Sequence, residues 1–374
     1  MTVLRVDTIS GIGSDGPVFD GDLEFNSQNY VILPKGTTGD RVGLGSTAGA
    51  LRYNTDSNKV ELYDGSQWAE VQSSRPDLNG GARGVFGGGA ATPTYVNNIE
   101  YINIQSTGNA IDFGDMSGSV RAHNAACSSA TRGLFGGGYT ATPGATTNTI
   151  DYITISSTGD AVDFGDLTVI GRGFNAACSS STRGLFAGGR DGGTLYNIID
   201  YVTTASTGNA VDFGALSQTK RRLSALSSPT RGVFGAGSTG SNTNVIEFVT
   251  ISTLGNAQDF GDLIAAANTT ASCSSPTRGL FAGGFAPSFV NTIQYITIAT
   301  TGNAVNFGSL TTTPANLGAC SSPTRGVFGG GYTPTLINNI EYVTIQNQGN
   351  SVDFGDLIVS RQPTGSCSNA HGGL

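Results

Sequence analysis

Two histidines, His123 and His371, and one tryptophan, Trp68, are all that the chain has of these residue types, and only 12% of its residues are charged. So few ionisable side chains leave the solvated surface to Ser, Thr, Asn and Gly. Acids outnumber bases, 27 to 19, for a net charge of -8. Such a balance gives no attraction to nucleic acid or to an anionic membrane, and neither partner is expected. No apolar run reaches the 18 residues of a membrane span. The opening "MTVLRVDTISGIGSDG" lacks a signal-peptide core, so a soluble chain without a secretion signal is expected. Sustained helical periodicity is missing as well. The five cysteines are odd in number and show no CxxC spacing, which excludes a disulfide framework and a thiolate metal site.

What the chain has is glycine, 56 residues of it, and a repeat. "ARGVFGGG", "TRGLFGGG", "TRGLFAGG", "TRGVFGAG", "TRGLFAGG" and "TRGVFGGG" place Arg83, Arg132, Arg183, Arg231, Arg278 and Arg325 at intervals of 49, 51, 48, 47 and 47 residues. A period near 48 suits four short strands with turns. Each copy continues through "NNIEYINI" or its equivalent, "STGN", "AIDFGDM" or its equivalent, and a variable stretch leading to "AACSS". From the acid before the aromatic (Glu100, Asp151, Asp200, Glu247, with Gln294 in the fifth copy, and Glu341) to the next acid (Asp112, Asp163, Asp212, Asp259, with Asn306 in the fifth, and Asp353) the interval is always 12 residues.

Runs such as "IDYITI" are β-branched and aromatic on nearly every position, as in strands covered on both faces. "STGN" reads as a tight hairpin turn with Gly and Asn at positive φ. The unit is therefore four antiparallel strands, "NAACSS", "RGLFGGG", "NTIDYITI" and "AVDFGDL". Six such sheets that cannot bury both faces alone predict an all-β, six-bladed β-propeller over residues 76–374. "SRPDLNGG" before Arg83 holds no first strand, whereas "QPTGSCSNAHGGL" follows the last repeat, so residues 362–368 are expected to close the propeller.

The glycine pair ending the second strand, the acid-Tyr pair in the third and the aromatic in the fourth resemble kelch repeats over roughly residues 79–374. Phe113, Phe164, Phe213, Phe260, Phe307 and Phe354 stand where that family has tryptophan. Residues 1–75 carry their own strand signals, "DLEFN", "YVILP" and "ALRYNTDSNKVELYDGSQWAEV", the last a hairpin about "TDSN". They resemble a segment of tail-fibre and other structural proteins of tailed bacteriophages, especially those of marine cyanobacteria. That resemblance implies a virion location and an N-terminal β attachment module that docks on other virion proteins. It also implies a homo-oligomer such as a trimer, with the propeller held outward toward host-surface glycan or neighbouring virion proteins.

Phosphate-cradling loops need a strand, a loop and a helix N-terminus. No helix follows "GLFGGG", so its glycines are expected to serve close strand approach. Cys127, Cys178, Cys273, Cys320 and Cys367 share one repeat position, with Leu226 in the remaining copy, and are expected as small buried hydrophobes. The repeated acids and arginines read as strand-end hydrogen-bonding devices, with the arginine as a partner of the acids. No nucleophile-base pair stands out and no cofactor, metal site or catalytic residue is expected; a carbohydrate-active or oxidase enzyme on a propeller scaffold is the alternative. Candidate ligand or partner contacts lie in the loops after the second and fourth strands of each unit: Tyr95, Tyr139, Tyr196, Phe285, Phe289, Tyr332, Arg172, Arg221, Arg222 and Arg361. Aromatics beside arginine can stack on sugar rings or anchor a protein partner.

Overall fold

The computed structural model describes residues 33–374 except 42–47, 58, 72–81, 93, 119, 141–144, 170 and 363–364. The chain divides into two compact units, Met1–Ser73 and Ser74–Leu374. In the first, Leu51–Asn54 and Lys59–Tyr63 form the hairpin about "TDSN", Trp68–Glu70 extends it, and Lys35–Gly36 pairs in parallel with Tyr53 and Asn54. Glu61 lies buried in this small sheet, bound by Arg41 and Asn54. "DLEFN" lies outside the described residues, and of "YVILP" only Leu33 and Pro34 are described, neither in a strand.

The second unit is all-β, with six four-stranded antiparallel sheets. Sheet 2 shows the plan: Ala125–Ser128, Arg132–Gly136, Thr149–Thr154 and Val162–Asp166 lie side by side in that order. Sheets 3 to 6 repeat it over 176–215, 224–267, 271–309 and 318–356. In sheet 1 the first strand comes from the other end of the chain. Gly365–Ser368 pairs antiparallel with Arg83–Ala90, which is followed by Tyr95–Asn103 and Ile111–Asp115.

Neighbouring sheets bury their faces against each other. Between sheets 2 and 3, Leu134, Ile150, Phe164 and Leu167 meet Phe186 and Val202. Five more clusters of this kind follow, the last joining Phe354 and Leu357 of sheet 6 to Phe86 and Ile102 of sheet 1. The first strands are also linked by their serines. Ser179 Oγ donates to Ser128 O, Ser227 to Ser179, Ser274 to Ser227, Ser321 to Ser274, Ser368 to Ser321 and Ser128 to Ser368, at 2.5–2.8 Å. These six hydrogen bonds return to their starting residue.

The repeat motifs find their reasons in contacts between sheets. Each repeat arginine reaches the end of the next sheet's third strand: Arg132 donates to Thr204 O at 3.2 Å and Arg183 to Ile251 O at 3.0 Å. Its guanidinium also lies over the aromatic of its own third strand, 4.7 Å for Arg132 above Tyr152 and 4.9 Å for Arg183 above Tyr201. It is not the partner of the acids, as the sequence suggested. "STGN" is likewise no tight turn. The chain reverses one step earlier, where Ser157 N donates to Thr154 O, and the following residues lie along the previous sheet. Gly159 N donates to Phe113 O and Ala161 N to Asp115 O, both at 2.7 Å. Docking on a second sheet, as well as pairing within its own, allows this segment no insertion.

The cysteines are free and buried, as their repeat position suggested. Each fits over the first glycine of the next sheet's second strand, and a methyl group on Gly184 would lie 2.8 Å from Cys127 Sγ. Gly184→Ala is therefore expected to cost about 1–3 kcal/mol by overpacking, and Gly184→Ala with Cys127→Ala to recover most of it. Urea denaturation of the two variants measures both. At Gly137 the need is different: φ is +69° and an added Cβ would strike Arg172 O. The "FGGG" glycines thus shape the exit from the second strand and leave no room for a ligand there.

Candidate binding recess

Between the second- and fourth-strand loops of successive sheets, the chain turns into each first strand through a residue with left-handed backbone. These are His123, Phe174, Arg222, Thr269 and Asn316, with φ of 56–60°. None is glycine, and only Asn tolerates this region readily, so each position carries strain of about 1 kcal/mol. A ladder of main-chain hydrogen bonds holds them there. Phe174 N donates to His123 O, Arg222 N to Phe174 O, Thr269 N to Arg222 O and Asn316 N to Thr269 O, at 2.8–3.0 Å. The equivalent sixth residue, Pro363, lies outside the described residues.

The five side chains line one recess of about 650 Å³, counted to its open mouth, together with Asn124, Asn175 and Thr270. Backbone here is uniform and side chains are not: the repeats place an imidazole, a phenyl ring, a guanidinium, a hydroxyl and a carboxamide on one frame. Residues lining this recess also carry buried polar atoms without a protein partner, namely His123 Nδ1, Asn124 Oδ1 and Nδ2, Asn175 Oδ1 and Arg222 Nε. Buried polar groups are rarely left so, and each marks a place where bound water completes the hydrogen bonding behind the recess wall. Burial, followed by the positive charges of Arg222 and Arg190, pushes the His123 imidazole down to about 3, so it is neutral at pH 7.

Arg222 lies over the Phe174 ring at 4.8 Å, and Arg190 lies 5.7 Å from the rings of both Phe174 and Tyr139. Arg190 Nε donates to Tyr139 Oη at 2.6 Å. His123 packs on Phe174 with centroids 3.9 Å apart. Of the residues read from the sequence as contacts, this region brings together Tyr139, Arg221 and Arg222. Tyr139 does so as a buried packing residue and not on an open loop: it stacks on Phe174 and His123.

Arg172 and Arg361 are corrections. Both are fully buried: Arg172 pairs with Asp200, and Arg361 with Glu100 at 3.1 Å. Arg121 pairs with Asp151 and Lys220 with Glu247 at 2.5 Å in the same way. These cations are the true partners of four of the third-strand acids, whereas the fifth, Glu341, accepts from Thr311 N and Ser351 Oγ instead. The reason is repeat position: each precedes the first strand of its sheet and turns inward beneath the second-to-third-strand connection, where Arg172 also donates to Gly188 O and Ile198 O. Burial works against both charges of such a pair, raising Asp200 and lowering Arg172, and their contact offsets that cost. Phe285, Phe289 and Tyr332 form a separate group, with centroids 5.5 and 5.8 Å apart and Phe285 exposed. Tyr95 and Tyr196 are half-buried on the corresponding connections of sheets 1 and 3.

No family model matches this chain, and no curated protein does either.

A second recess adjoins the first through Ala126, Ala177, Ala225, Ser272, Ala319 and Ser366, and is lined by the cysteines and the serine cycle. His371 occupies it. Its Nε2 donates to Ser128 O at 2.9 Å while Nδ1 accepts from Gly373 N at 3.0 Å, which fixes the neutral tautomer. His123 and His371 thus line different recesses. Among the described residues, no group of three or more His, Cys, Asp and Glu is placed to hold a metal ion.

Burial holds the His371 imidazole below its ordinary pKa, and protonating Nδ1 would turn an N–H toward the Gly373 N–H. The unfolded chain then takes up protons that the folded one does not, so stability is full above about pH 6.5 and falls as pH drops below it. Urea midpoints at pH 7.5 and 5 are expected to fall with acid in the parent and to fall less in a His371→Asn variant.

Proposed function

We propose that the second unit is a closed, kelch-like six-bladed β-propeller that serves as a non-enzymatic binding domain, with its ligand in the recess between the loops. Closure is supported by the serine cycle, which returns from Ser368 to Ser128, and by the six apolar clusters, the last of which joins sheet 6 to sheet 1. The binding reading rests on one observation above all: five different side chains are held at one strained backbone position per repeat and line a single recess. A scaffold that keeps its backbone fixed while varying the groups facing a cavity is suited to recognition.

On the resemblance of residues 1–75, we propose further that the chain is a structural protein of the tail-fibre kind in the virion of a tailed bacteriophage. The N-terminal module docks on other virion proteins, the chain assembles as a homo-oligomer such as a trimer, and the propeller meets host-surface glycan. Two measurements test this. Mass spectrometry of gradient-purified virions should find the chain, and its absence there would remove the virion assignment. A glycan array probed with the full chain should give a defined set of hits that Phe174→Ser weakens. An array without hits would remove host glycan as the ligand.

A further inference from the structure

The three arginines beside the recess differ from the buried cations that pair with the third-strand acids. Arg121, Arg172, Lys220 and Arg361 each lie against an acid. Arg190, Arg221 and Arg222 have no carboxylate within 4.0 Å among the described residues. Instead they face one another. After burial, the charge of Arg190 is what lowers the proton affinity of Arg221, and the charges of Arg221 and Arg190 lower that of Arg222. Asp191, next in sequence to Arg190, accepts from Thr146 Oγ1 at 2.7 Å. The six repeat arginines also lack a carboxylate among the described residues, but each donates to main-chain carbonyls of the next sheet; Arg190, Arg221 and Arg222 are set apart by being clustered. Phe174 and Tyr139 hold two of them in place by ring contacts, which limits their escape into water.

We propose that this corner of the recess binds the acid group of an anionic sugar, a carboxylate or sulfate carried on a glycan. Arg222 and Arg190 supply the charged donors and Arg221 supplies further positive field. Guanidinium is the donor of choice for planar, two-point recognition of such oxyanions. The neutral groups around the remainder of the recess, Asn124, Asn175, Thr269, Thr270 and Asn316, are the kind that meet sugar hydroxyls. His123, held neutral, adds no charge of its own beside the arginines. A long polyanion such as nucleic acid fits less well, because the chain as a whole carries a net charge of -8 and the positive region is confined to one corner. The inference rests on the reading of the recess as a glycan site and adds the charge class of the glycan.

The test is calorimetric titration of the full chain with a sulfated oligosaccharide, a uronate oligosaccharide, a neutral oligosaccharide, inorganic sulfate and single-stranded DNA. At least one acidic oligosaccharide is expected to bind about tenfold or more tighter than the neutral one and than sulfate alone, and to weaken as salt rises. Arg222→Asn copies the residue that sheet 6 carries as Asn316 at the same left-handed position, so it should fold normally and still lose about tenfold in affinity. Arg190→Gln should lose affinity as well, while Val211→Ser, on an exposed edge strand, should match the parent. If the neutral oligosaccharide binds as tightly, without salt dependence and with Arg222→Asn unchanged, the anionic assignment is overturned and the glycan site stands. Binding of DNA as tight as that of the acidic sugar overturns the assignment too. Failure of every oligosaccharide overturns both.

Discussion

Removing residues 363–374 should abolish cooperative unfolding of the second unit. The deletion takes away Gly365–Ser368, the first strand of sheet 1, and with it two of the six hydrogen bonds of the serine cycle, those donated and accepted by Ser368. Arg83–Ala90 would keep Tyr95–Asn103 but lose its partner on the other side, along a row of main-chain groups that are now buried, and Cys367 would leave its place beside Val85 and Phe135. An exposed strand edge invites pairing with other chains. Whole domains are stable by about 5–15 kcal/mol, and losing a buried strand from the proposed closed propeller removes most of that. A truncated chain should therefore aggregate, or melt broadly where the parent melts in one transition, in calorimetry and near-ultraviolet circular dichroism. A peptide spanning residues 362–374 should restore part of the transition when added in excess. A sharp transition within a few degrees of the parent would show that the ends do not hold the unit together.

The second large effect is expected at the buried ion pairs. Arg172→Ala leaves Asp200 inside the protein without its cation, and such a loss costs about 3–5 kcal/mol. The chain carries its own remedy. In sheet 5 the cation position is Ala267 and the acid position is Gln294, which is buried and accepts from Ile264 N at 2.8 Å. Arg172→Ala combined with Asp200→Gln should accordingly be more stable than Arg172→Ala alone, by about 2 kcal/mol or more, since no uncompensated charge remains. Urea denaturation at pH 7 reads both. A double variant no better than the single one would mean that Arg172 contributes through its hydrogen bonds to Gly188 O and Ile198 O and not through charge.

That pattern was present in the sequence and shows where legibility ended. Strand order, the four-strand unit and the supply of a strand by residues after the sixth repeat could be read because strands follow local alternation and composition. Repetition sixfold over removed the ambiguity of any single copy. The partner of each acid could not be read from one copy, since it lies in the variable stretch before the first strand. The joint loss of cation and acid in the fifth copy, Ala267 with Gln294, was the signal beside Arg121, Arg172, Lys220 and Arg361, but the sixth copy keeps Glu341 opposite Pro314 and so obscured it. "STGN" misled because glycine and asparagine say that the backbone is unusual but not which sheet it meets. The left-handed residues lining the recess were illegible for the opposite reason: His, Phe, Arg and Thr do not announce positive φ, and the main-chain ladder that holds them comes from the neighbouring repeats. Among the loop aromatics, sequence could place Tyr139 at the end of a strand but could not show that Arg190 and Phe174, one repeat later, would cover it.

The account predicts that ligands enter the recess and do not bind to the loop rim or to residues 33–71. Hydrogen-deuterium exchange of the full chain, with and without the tightest oligosaccharide from the array, tests that claim most directly. Slowed exchange confined to peptides covering 121–125, 172–176, 188–192, 220–224, 268–272 and 315–319 is the expected result. Protection centred on 285–289 and 332, with none at the left-handed residues, would contradict it.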